Sequence, residues 1–110
     1  MKDVKFYQTA NDNPVVASFI RSFPPDDRKI IGRDLMRLQI GYPMGPPLCK
    51  HLRGSIWEIR SSVPSKREVR LLYFFDASSQ MIIVVHAFIK TTRTTPNADI
   101  VLAERRQSEF

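Results

Sequence analysis

The chain has 110 residues, 43% of them hydrophobic, with 17 Lys+Arg against 11 Asp+Glu and a formal net charge of +6. That length suits one domain spanning residues 1–110, and that hydrophobic share excludes a disordered tail. A lone cysteine, Cys49, and two histidines exclude an internal disulfide and a Cys/His-rich zinc site, and the longest apolar run, Met81–Val85, is far short of a membrane span.

The N-terminal Met1–Lys5 has no long apolar stretch, so no secretory signal is expected. A single cysteine fits a reducing, cytoplasmic setting. Val4–Thr9 reads as a short strand, broken by Ala10-Asn11-Asp12-Asn13. Asn13-Pro14 is a helix start, a cap side chain followed by a first-turn proline. Val16, Phe19, Ile20 and Phe23 then recur at helical spacing. Pro24-Pro25 ends that helix and opens a longer one, with Asp26 and Asp27 in its first turn, where the dipole favours anions. Ile31, Leu35, Leu38 and Tyr42 form its apolar stripe, and Gly41 marks its end. Two helices with almost no loop between them predict an αα-hairpin.

The Pro/Gly-rich Tyr42–Pro47 is a rigid connector. Three strand-like runs follow, at Ile56–Val63, Glu68–Asp76 and Met81–Lys90, joined by short polar links. They predict an antiparallel meander. Thr95-Pro96 is a second cap-plus-proline start for a final helix through Ile100–Ala103. The expected order is βααβββα, an α+β fold with an antiparallel sheet, the helical hairpin on one face and a C-terminal helix.

The charge is unevenly spread: net +2 over residues 1–47, +5 over 48–95 and −1 over 96–110. The excess coincides with the strand-rich segment, and a positive field on a sheet suits a polyanion. Period-two alternation places Trp57, Ile59, Val69, Leu71 and Tyr73 on one face, toward the helices. Arg60 and Arg70 fall on the other face, and His86 and Lys90 share a parity. If the register unites them, an uncovered sheet face carries two arginines, a histidine and a lysine.

Lys50-His51-Leu52-Arg53-Gly54, Trp57-Glu58-Ile59-Arg60, Arg70-Leu71-Leu72-Tyr73-Phe74 and His86-Ala87-Phe88-Ile89-Lys90 with Thr94-Thr95-Pro96 form an ordered series of blocks. In order and spacing the series resembles the RelE/ParE toxin superfamily, in its phage-derived, HigB-like branch. The resemblance implies a toxin of a type II toxin–antitoxin system. It implies a metal-free, cofactor-free, ribosome-dependent endoribonuclease (an mRNA interferase) that inhibits translation. In that reaction the ribose 2′-OH attacks the adjacent phosphate. The implied partners are a helix-turn-helix antitoxin, the ribosome and mRNA; neither a membrane nor a small-molecule cofactor is expected.

Such attack needs cations around a phosphate and groups that move protons. Arg60 and Arg70 suit the first task, because a guanidinium is always charged and grips phosphate oxygens in a fork. Lys90 can neutralise a phosphate or pass a proton, and His51 titrates near neutrality. These four are the expected catalytic residues. Lys50, Arg53, Lys66, Arg67, His86 and Arg93 are expected to hold the RNA backbone.

Ribosome-dependent RelE relatives carry lysines where this chain has Glu58 and Arg60, and a tyrosine after the last strand where this chain has none beyond Tyr73. Two other functions stay open: a non-cleaving, ParE-like inhibitor of DNA gyrase, and a decayed antitoxin-binding module. Structural roles stand beside the functional ones. Arg60 and Arg70 can pair with Glu58 and Glu68. His86 can be a hydrogen-bonded structural histidine, and Trp57, Phe74 and Phe75 can be core. Cys49 reads as a buried small side chain, with no motif to activate it.

Overall fold

The computed structural model describes residues 1–110. The elements are β1 (Asp3–Phe6), α1 (Val15–Arg21), α2 (Pro25–Gly41), β2 (Cys49–Arg53), β3 (Ile56–Ser62), β4 (Glu68–Asp76), β5 (Met81–Ile89) and α3 (Asn97–Gln107). The strands form one sheet in the order β1-β5-β4-β3-β2. The α+β class and the helical hairpin match expectation.

Three points correct it. The sheet has five strands, because Cys49–Arg53 pairs antiparallel with β3 from Cys49↔Ile59 to Arg53↔Ile56. The sheet is mixed, because β1 runs parallel to β5, Asp3↔Met81 through Phe6↔Val84. The helical hairpin carries the chain from β1 to the far edge of the sheet, so no hairpin turn sets β1 antiparallel to its neighbour. The face opposite the hairpin is also partly covered, by α3.

The helical hairpin packs where the alternation places it. Ser61 shares the face of Ile59 and pairs across with Val69, and its hydroxyl donates to Asp34 of α2 at 2.7 Å. Ile31, Leu35 and Leu38 of α2 join Ile59, Val69 and Leu71 in one buried cluster. Two aspartates interrupt that apolar stripe at i and i+7. Asp34 holds β3, and Asp27 accepts from the backbone N–H and hydroxyl of Ser65 in the β3–β4 turn. Pro14 and Pro96 stand at the N-cap positions of α1 and α3, just before the first helical residues, and neither Asn13 nor Thr95 caps with its side chain.

Leu38 is fully buried, so Leu38→Ala should cost about 2–5 kcal/mol in urea unfolding. Ile40→Ala, on the exposed side of the same helix, should fall within about 0.5 kcal/mol of the parent.

Helix α3 is fixed mainly by polar contacts to the other sheet face. Arg53 grips Glu104 at 2.6 Å and Asn97 at 2.8 Å. Arg106 donates to the Val85 carbonyl at 2.8 Å, and the His86 ring meets Asp99 at 2.7 Å. Val85 is the extra residue of a β-bulge, since Leu72 pairs with His86 while Tyr73 pairs with Val84. A bulge leaves ladder groups unpaired, and Arg106 satisfies this carbonyl. The bulge also turns His86 onto the α3 face.

Candidate nucleic-acid interface

Strand register builds the site as rows across the sheet. One row runs Lys50, Glu58, Leu72, His86, and the next runs Arg60, Arg70, Phe88. Arg60 and Arg70 are therefore direct cross-strand neighbours, as their parity predicts. Like charges at opposed positions repel. Two carboxylates offset that repulsion: Glu58 lies 3.7 Å from Arg60 Nε and 4.0 Å from Arg70 Nε, and Glu68 accepts from Arg70 at 3.3 Å. Thr95 donates to Glu58 at 2.6 Å, tying the chain before α3 to this cluster.

The two arginines differ in exposure. The Arg70 side chain is 5% exposed and Arg60 38%. Arg70 Nε has no hydrogen-bond partner within the protein. A buried donor left unpaired costs about 1–3 kcal/mol, and such groups concentrate where function needs them.

Glu58 and Arg60 open onto a cleft of about 160 Å³ between β2, β3 and the segment 90–100. Lys50, His51, Lys90, Arg93 and Thr95 also line it. Four basic side chains thus face one carboxylate in a small concave space, where a phosphate gains most from them. Lys90 Nζ is steadied by a 2.9 Å bond to the Arg93 carbonyl. His51 touches the cleft from the edge of β2, but its ring lies in the row of Trp57, 5.2 Å from the indole and on the sheet face opposite Glu58 and Arg60, with Nε2 2.6 Å from the Gly54 carbonyl. A carbonyl only accepts, so Nε2 is the donor. Gly54 holds φ at +55°, the left-handed backbone that glycine adopts at no steric cost, in the turn between β2 and β3.

A second cleft, of about 390 Å³, lies where β3 runs on past β2. Arg33, Asp34 and Arg37 of α2 meet Pro47, Arg60, Glu68 and Arg70 there. Arg60 lines both clefts.

The remaining expected residues sit elsewhere. Arg53 is engaged by Glu104, whose carboxyl it holds below the usual range by hydrogen bonding and charge. Arg67 donates to Asp27 at 3.1 Å and lies 4.5 Å over the Phe23 ring. Lys66 occupies the β3–β4 turn, outside both clefts. His86 is half-buried against Asp99 and stacked on Phe88. Trp57 is half-buried beside the core, and Phe74 is buried within it. Cys49 is fully buried, and that burial pushes its thiol up, away from nucleophilic use.

Arg33 and Arg37 are the residues that sequence reasoning passed over. Their i,i+4 spacing puts them on one helix face, a readable signal that alone fits any solvated helix. The packing of α2 on β3, with the Asp34–Ser61 bond between them, brings them near Arg60.

Hydrogen bonds from Ser65, with Arg67 adding to them, hold the Asp27 carboxyl below its ordinary value of 3.8. A folded-state pKa below the unfolded one adds stability that is full above the ordinary value and lost as pH falls through the depressed one. Asp27→Asn should therefore destabilise the protein at neutral pH, and the gap to the parent should shrink as pH falls below that ordinary value. Urea unfolding across that range checks it; a gap independent of pH contradicts it.

A family model described as phage-derived protein Gp49-like (DUF891) matches residues 18–108. No curated protein matches the chain.

Proposed function

The chain belongs to the phage-derived Gp49-like family, a RelE-like toxin family of toxin–antitoxin systems, and from that premise we propose that it is a metal-free endoribonuclease toxin of HigB-like type. The family implies an antitoxin partner. The finer reading, ribosome-dependent cleavage of mRNA, has one observation as its main support. Arg60, paired across the strands with Arg70, meets Lys50, Lys90 and Arg93 around one cleft that has Glu58 in its wall.

In this mechanism the scissile phosphate enters that cleft. The Arg60 guanidinium takes its non-bridging oxygens, and Arg70 backs it through their shared carboxylate, Glu58. The ribose 2′-oxygen attacks phosphorus and gives its proton to water in the cleft. The bond to the 5′-oxygen breaks, leaving a cyclic phosphate, and Lys90 passes a proton to the departing oxygen. Lys50 and Arg93 hold the flanking backbone without reading bases. DNA lacks the 2′-OH, so RNA is the only nucleic acid cut this way.

The test is to map 5′ mRNA ends after inducing the toxin in growing cells, with and without a helix-turn-helix antitoxin. New 5′-OH ends inside translated codons are expected, and the antitoxin should suppress them. Growth arrest with intact transcripts overturns the nuclease reading.

One observation favours a second reading, a non-cleaving toxin directed at a target such as DNA gyrase. Arg70 is almost wholly buried and committed to Glu58 and Glu68. That reading expects arrest with DNA damage and unchanged mRNA.

A further inference from the structure

We propose that the cleft lined by Arg33, Arg37, Arg60 and Arg70 is a second phosphate subsite, which takes the RNA backbone onward from the first cleft around the edge of β3. The proposal rests on the first cleft being an RNA site. Three observations carry it.

Charge comes first. Four guanidiniums meet two carboxylates, Asp34 and Glu68. Asp34 is already committed, with one oxygen accepting from Ser61 and the other shared by Arg33 and Arg37 at 3.4 Å each. Those long contacts leave both guanidiniums, about half or more exposed, with donors free for a ligand. Arg70 adds a buried side chain whose Nε lacks a partner.

Continuity comes second. Arg60 belongs to both clefts, so one strand can touch it and run into either. A continuous anion with evenly spaced charges fits this path better than an isolated ion does.

The third observation is what the cleft lacks. Leu48 is its single apolar lining residue beyond Pro47, and no aromatic ring faces it. Base recognition on single strands uses aromatic platforms, so this surface is built for the backbone alone. The fork of arginine matches phosphate in two parallel hydrogen bonds, which favours phosphodiester over a flexible acidic peptide.

The experiment compares the parent with the double variants R33Q/R37Q and R33K/R37K. Binding of a 2′-O-methylated, uncleavable RNA oligonucleotide and of a dinucleotide is followed by anisotropy across a salt series. Pelleting with purified ribosomes is measured in parallel. R33Q/R37Q should bind the oligonucleotide roughly tenfold more weakly, with a salt slope shallower by about 1.4, the value for two lost phosphate contacts on a single strand. The dinucleotide, which fills only the first cleft, should bind unchanged. R33K/R37K keeps the charges and should recover the slope. Thermal unfolding checks that both variants fold, as expected for exposed helix positions.

Loss on the free oligonucleotide assigns the subsite to the substrate strand. Loss on ribosomes alone assigns it to ribosomal RNA backbone. Either upholds the subsite. Unchanged binding in both assays overturns it and leaves the cleft to another partner, such as an acidic protein. If R33Q/R37Q loses RNA binding while cells induced for the parent protein keep intact transcripts, the nuclease reading fails and the subsite stands.

Discussion

Arg60→Ala is expected to abolish growth arrest and slow RNA cleavage by about 10²–10³-fold, the usual cost of removing one preorganised donor to a developing negative charge. Arg60 is the one side chain that lines both basic clefts. It is also partly exposed, so truncation removes a charge without opening a cavity in the core. Glu58 keeps Arg70 and Thr95 as partners in the variant. Arg60→Lys keeps the charge but loses the planar fork, so its activity should be intermediate. Arg67→Ala is the contrast. That guanidinium is taken up by Asp27 and the Phe23 ring, so the change should cost stability and leave arrest intact. Growth curves, mapped 5′ ends and thermal unfolding separate these outcomes. Full arrest by Arg60→Ala at parental expression would remove the phosphate-binding role assigned to it.

The contrast between Arg60 and Arg67 also marks what the sequence makes legible. Alternation along 56–62 and 68–76 puts Arg60 and Arg70 on the face opposite Trp57 and Tyr73, and the observed register pairs them. A core-facing row admits only one register, so parity there carries information. Cys49–Arg53 carries none of it. It is a short edge strand with Lys50, His51 and Arg53 exposed, so no apolar alternation marks it. Its charges read as a binding motif, and the pairing that makes it a strand stays hidden. Helix α3 itself is readable from Thr95-Pro96, but its docking on the sheet hides for a related reason. Ala103 is its only fully buried side chain, and ion pairs such as Arg53–Glu104 and His86–Asp99 help to hold it on the sheet. Partners so far apart in the chain have no periodic signature. The bulge at Val85 is hidden too, because an extra residue in a run apolar on both faces leaves the pattern unchanged. Arg53, Lys66 and Arg67 look alike by type and differ only in whether a carboxylate reaches them.

Glu58 is the residue on which this assembly depends most, and Glu58→Ala should destabilise the protein by about 3–5 kcal/mol, the range for breaking a buried ion pair from one side. The carboxylate is nearly inaccessible and stands between two guanidiniums held side by side by the strand register. Without it, the buried Arg70 keeps only the half-exposed Glu68 as a counter-charge, and Thr95 loses its acceptor. Glu58→Gln keeps an acceptor for Thr95 while losing the charge, so its cost should be smaller. The decisive variant removes both sides. Glu58→Ala with Arg70→Met should be more stable than Glu58→Ala alone, because the orphaned cation goes with the carboxylate. Urea unfolding of the four members of that cycle should give a coupling of about 0.5–3 kcal/mol. Additive losses would mean that Glu58 and Arg70 are neighbours without being partners. A large coupling, with activity absent from all three variants, would place Glu58 as the residue that holds two like charges close enough to serve one phosphate.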